Sequence, residues 1–200
     1  ASCLKCNASS NYYASSGTIN FRSDSARDYS VEFWMKPDSV TNAETDRLVH
    51  SDQKFAIWKY EDDIVFAPNY DVAFTASAVL TAGKWTHVAC TWDASENALQ
   101  VYIDGKLVLT GTDTTTDKTG AASIRIGRKD DGSQEYDGYM DEIRLWEDIR
   151  TESEIRADMF QGGTLANSGN LFARWSLDEG TGTSSTDSSS NSNNLTLNDA

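Results

Sequence analysis

Strict alternation of apolar and polar residues is the feature that most constrains this chain. Across residues 29–36 (YSVEFWMK), Val31, Phe33 and Met35 alternate with Glu32, Trp34 and Lys36. Successive side chains of a strand point to opposite faces. This segment therefore has one apolar face and one that carries a tryptophan between two charges. The period recurs at 55–60 (FAIWKY), 64–67, 85–92 (WTHVACTW), 98–103 (ALQVYI), 106–109, 123–127 (SIRIG) and 138–146 (GYMDEIRLW). Glu61-Asp62-Asp63 turns one pair into a hairpin, and Asp104-Gly105 is a two-residue turn of the left-handed kind. One short helix is predicted: Thr151 and Glu154 stand in capping-box spacing before Ile155, Met159 and Phe160, and Gly162-Gly163 ends it. Residues 171–177 (LFARWSL) and 194–198 (NLTLN) read as strands, so the polar tract 180–194 between them is expected to be an ordered loop. Many short antiparallel strands with one short helix near the C-terminal third predict an all-β, two-sheet antiparallel β-sandwich.

Two hundred residues suit one domain, taken as 1–200. Acidic residues number 31 against 17 basic, a formal net charge of −14. A polyanion needs a basic footprint, so nucleic acid is excluded as a partner, and so is an anionic membrane surface. No apolar run approaches ~18 residues, which excludes membrane insertion by a helix. The cysteines are Cys3, Cys6 and Cys90, an odd number. Cys3 and Cys6 have metal-ligand spacing but nothing completes a zinc site, and Cys90 sits in an apolar strand pattern, so three free thiols are expected. The chain begins at Ala1 without a signal segment and is read as a mature or excised piece, with neighbouring domains in a larger protein expected.

The combined motifs resemble a known family. Residues 83–92 (GKWTHVACTW) followed by 101–106 (VYIDGK) are similar to the laminin-G-like and pentraxin-like (concanavalin A-like) jelly rolls. So are residues 138–146 with the helix after them, 34–37, and 171–197. The resemblance implies a jelly-roll sandwich in which His87, Trp85, Trp92, Trp146 and Trp175 are packing residues. In many relatives the segment like 171–197 opens the domain. Here it stands at the end, where it is expected to close the domain beside the N-terminal strand rather than begin another repeat. The family holds lectins, adhesion domains and enzymes, so it implies a fold more firmly than a function.

Jelly-roll glucanases carry alternate carboxylates on one strand face. Alternation here puts Asp141, Ile143 and Leu145 on one face and Glu142, Arg144 and Trp146 on the other, so no catalytic pair forms and no enzyme is expected. Calcium is the expected cofactor, because oxygen ligands abound. The loop Asp187-Ser188-Ser189-Ser190-Asn191-Ser192-Asn193 resembles a loop that surrounds a structural calcium in relatives. Asp187, Asn191 and Asn193 would be its ligands, with Asp141 completing the site. For a sugar, two places combine rings with hydrogen-bonding groups. One is the loop with Arg128, Asp130, Gln134 and Tyr136, and the other is the hairpin with Trp58, Tyr60 and Asp62. Two glycosylation triplets, Asn7-Ala8-Ser9 and Asn194-Leu195-Thr196, are present. The expectation is an extracellular or cell-surface binding module for a glycan or other cell-surface ligand. An adhesion domain of a tandem array is the rival reading.

Overall fold

The computed structural model describes residues 2–7, 12–21, 27–51, 54–116, 118, 120–165 and 168–198 of the chain. Its strands are β1 (Leu4–Cys6), β2 (Tyr13–Ile19), β3 (Tyr29–Pro37), β4 (Thr45–Ser51), β5 (Phe55–Tyr60), β6 (Asp63–Ala67), β7 (Phe74–Ala76) and β8 (Thr86–Asp93). They continue with β9 (Ala98–Ile103), β10 (Lys106–Thr112), β11 (Ala122–Ile126), β12 (Gly138–Trp146), β13 (Leu171–Trp175), β14 (Ser184–Ser185) and β15 (Leu195–Asn198). Between β12 and β13 lies the helix α1 (Glu152–Asp158). One sheet runs β1-β12-β3-β8-β9-β10, and β13 joins it on β12; the other runs β14-β15-β2-β11-β4-β5-β6-β7. The two antiparallel sheets make the expected jelly-roll sandwich.

Local chemistry explains the elements that were legible. Asp104 and Gly105 have φ of 49° and 72°, the left-handed pair that the tight β9–β10 turn demands. Thr151 caps α1: its hydroxyl accepts from the Glu154 N–H, and the Glu154 carboxylate accepts from the Thr151 N–H. Val31, Phe33 and Met35 of β3, with Val88, Cys90 and Trp92 of β8, face Val49, Ile57, Phe66, Ile124 and Ile126 of the opposite sheet across the core. The segment after α1 serves both sheets, β13 pairing with β12 and β15 with β2. Cys3, Cys6 and Cys90 are free thiols, and burial pushes Cys6 up to about 12.

Two strands depart from the alternating pattern. β4 shows no amphipathic period because it buries Asp46, Arg47, His50 and Ser51. Asp46 is neutralised by Lys59 at 3.0 Å, and His50 Nε2 meets the Arg128 carbonyl at 3.1 Å. β12 carries a bulge. Its register against β3 shifts between Asp141 and Arg144, and Glu142 takes a left-handed φ of 48°. Met140, Ile143 and Leu145 lie in the core. Asp141 and Glu142 therefore share the outer face, and the reading that grouped Asp141 with Ile143 and Leu145 is corrected. Bulges insert one residue and re-aim those beside it.

Candidate functional site

The outer face of the β3 sheet is built on buried charge. Glu32 and His87 project there, fully covered, with Arg144 and Arg150. Arg150 Nε lies 3.6 Å from Glu32 and its Nη2 2.5 Å from Asp158 of α1, while its guanidinium stacks 3.9 Å from the Trp146 ring. Burial raises Glu32 to about 7 against the opposing pull of Arg144 and Arg150. Burial, then Arg144, lowers His87 to about 3, so the imidazole is neutral near pH 7. Ile155 of α1 packs on Ala89 and Tyr102 and seals this side of the face.

Beside the helix the face opens. In register, Trp34 of β3 stands between His87 of β8 and Asp141 of β12. Its indole N–H donates to the Met159 carbonyl at 2.7 Å, which pulls the chain leaving α1 across the sheet. Phe160 then leans on Trp34, with centroids 5.3 Å apart, yet stays 74% exposed. Two arginines pin the same segment. Arg144 donates to the carbonyls of Asp158 and Gln161, and Arg174 to that of Gly163. Both also bind Glu142, at 3.1 and 3.0 Å. The result is a groove of about 310 Å³ lined by Trp34, Trp85, Asp141, Glu142, Met159, Phe160, Gln161 and Gly162.

The two carboxylates of this groove differ. Glu142 is held by two guanidinium groups. Asp141 accepts the Glu142 N–H at 3.0 Å and, among the described residues, makes no ion pair. Burial raises it to about 7, helped by the neighbouring carboxylates of Glu142 and Asp178 and opposed by that hydrogen bond. An exposed ring, two indoles and an acid that makes no ion pair among the described residues converge on one open space.

A family model described as the concanavalin A-like lectin/glucanases superfamily matches residues 7–156. The chain belongs to this superfamily. The laminin-G-like and pentraxin-like resemblance read from the sequence agrees with it. A Sushi, von Willebrand factor type A, EGF and pentraxin domain-containing protein of Rattus norvegicus is 26% identical over 138 residues, 62% of this chain and 4% of the relative's length. The chain thus spans a small part of that relative. A Bacteroides ovatus protein described as a candidate carbohydrate binder superposes with a TM-score of 0.74 at 17% identity, over 99% of this chain and 59% of its own. Domain 4 of an extracellular arabinanase from Geobacillus stearothermophilus, solved with arabinotriose, gives 0.53 at 26% identity over 70% of each chain.

Within this lectin-like frame the residues singled out from sequence fare unequally. Tyr136 is fully buried in the core and offers no platform for a ligand, because its ring fills the space between the sheets. The loop and the hairpin do meet, through a residue the sequence reading passed over. Arg47 donates to the Gln134 side chain at 2.9 Å, and its guanidinium covers Trp58 at 4.7 Å. Gln134 and the face of Trp58 are therefore engaged within the protein. Arg128 lies 3.6 Å from the Tyr13 ring and Asp130 is half-buried. Tyr60 is 40% exposed, and the Asp62 carbonyl accepts from Val79 and Leu80. Trp85, expected in the core, is half-buried and lines the groove.

The expected calcium ligands do not fit an ion. Asp187 Oδ1 accepts from the N–H groups of Arg174 and Ser189, and Oδ2 from the Ser189 hydroxyl and the Asn193 N–H, at 2.8–2.9 Å. Asn191 donates its side-chain amide to the Phe172 carbonyl, and the Asn193 carbonyl accepts from Trp175. Asp141 lines the groove instead. Among the described residues no three His, Cys, Asp or Glu side chains gather as a metal site. Of the glycosylation triplets, Ala8 and Ser9 lie outside the described residues. Asn194 accepts the Asp187 N–H through its side chain.

Proposed function

We propose that this chain is a non-catalytic carbohydrate-binding module, one domain working outside the cell or at its surface, and that it binds glycan in the groove beside α1. The observation that carries the reading is the convergence of Trp34, Trp85 and Phe160 on the carboxylates of Asp141 and Glu142. Sugar rings present apolar C–H faces that stack on aromatic rings, and hydroxyl groups that donate to carboxylates. Phe160 supports it separately: a large apolar ring held 74% exposed by a bonded backbone adds little to folding. The solved likeness bound to arabinotriose and the pentraxin-containing relative favour a glycan and an extracellular setting.

A glycan array with the purified chain, followed by titration of each hit, tests this. Phe160→Ala and Trp85→Ala should weaken a hit at least tenfold. An array without hits would hand the role to protein adhesion. Hits that both variants bind as the parent does would move the site elsewhere.

A further inference from the structure

We infer that the groove seats a protonated amine, the free ammonium of an amino sugar held by Asp141, and so prefers amino sugars to neutral or acidic ones. The inference rests on the carbohydrate reading and adds the substrate class.

Charge complementarity carries it. The lining contains two carboxylates and no lysine or arginine. Glu142 is compensated by Arg144 and Arg174, whereas Asp141 is left without a cation among the described residues. Lys36, from the neighbouring position on β3, lies over the rings of Tyr139 and Trp85 at 4.3 and 5.6 Å and is absent from the lining. The bulge places Asp141 beside Glu142 on the same face, and Asp178 adds a third carboxylate to its field. Near neutral pH this half-buried acid ionises reluctantly, and an incoming ammonium relieves both repulsion and desolvation. The rings strengthen the same choice, since a cation is drawn to aromatic faces, Trp above all. A uronate or sialate would bring another negative charge against Asp141, in a groove whose lining holds no lysine or arginine.

Titration calorimetry near pH 7 with three probes tests the assignment: a β-1,4-linked glucosamine tetramer, its fully N-acetylated counterpart and tetralysine. The amino tetramer should bind at least tenfold more tightly than the acetylated one, and Asp141→Asn should erase the difference. That variant removes a strained charge and keeps the shape, so it should fold; its unfolding curve confirms this. Equal binding of the two tetramers, or a preference that survives in Asp141→Asn, overturns the amine seat and leaves the carbohydrate reading standing. Tetralysine binding as tightly as the amino tetramer overturns the sugar assignment. If neither tetramer binds the parent chain the amine seat falls, and loss or survival of array hits in Phe160→Ala then judges the wider reading by itself.

Discussion

Asp187 and Asp141 are both aspartates at the edge of the β12–β13 region, and their surroundings assign them opposite work. Asp187 is buried and saturated: four donors from its own loop and from β13 converge on it. Asp141 takes one backbone N–H and faces an open groove between aromatic rings. A carboxylate whose lone pairs are filled by protein is a scaffold, because a ligand would have to displace what holds the loop together. A carboxylate with capacity to spare, in a place that costs it charge, is a receptor. The same residue type thus separates into structure and recognition by its hydrogen bonds and its exposure, Asp187 being buried and Asp141 half-buried.

The largest effect should come from the saturated partner. Asp187→Ala leaves three backbone N–H groups near the sheet edge without acceptors, each costing roughly 1–3 kcal/mol. Denaturant unfolding should show a loss of about 3–5 kcal/mol. Chelator should leave the parent's Tm where it was; a drop in chelator would mean that an ion, and not the donors, organises the loop.

Glu142→Gln probes the other side. It leaves Arg144 and Arg174 buried with one fewer anion, and breaking such a pair costs several kcal/mol when buried. Because Glu142 is 17% exposed, a loss of about 2 kcal/mol is expected, together with weaker glycan binding as the 159–163 segment loosens.

Stability against pH should resolve the buried charges. Glu32 and Asp141 have folded values near 7, above their unfolded ones. The folded state then binds more protons, so stability falls as pH rises from about 4 to 7. His87 near 3 and His50 near 4 act oppositely, and stability falls as pH drops below about 6.5. Asp141→Asn should stabilise the chain above pH 7 by on the order of 1 kcal/mol, its partial exposure allowed for, and by nothing near pH 4. An equal effect at both pH values would remove the strained-charge account of the groove.

Much of the fold was legible because its signals are local. The Asp104-Gly105 turn, the Thr151 capping box and the alternation of β3 need no partner to be read. The ordered loop at 180–194 is also readable, but not the four donors that converge on Asp187, the residue expected to hold calcium. β4 is not legible because its buried Asp46, Arg47 and His50 are tolerable only beside Lys59 of the paired strand β5 and, far away in sequence, Gln134 and the Arg128 carbonyl. The groove was half visible. Trp34 between two charges was noticed, but Phe160 was read as part of a helix face. No periodicity announces the bulge that turns Asp141 and Glu142 to the same side.

The central claim is that an exposed ring beside an unsaturated acid binds sugar and does little for folding. Measuring stability and glycan affinity together in Phe160→Ala tests it most directly. At 74% exposure the ring's removal should change stability by no more than about 0.5 kcal/mol, while affinity for an array-identified glycan falls at least tenfold. Unchanged affinity, or a loss of stability large enough to account for the weakened binding, would contradict the account.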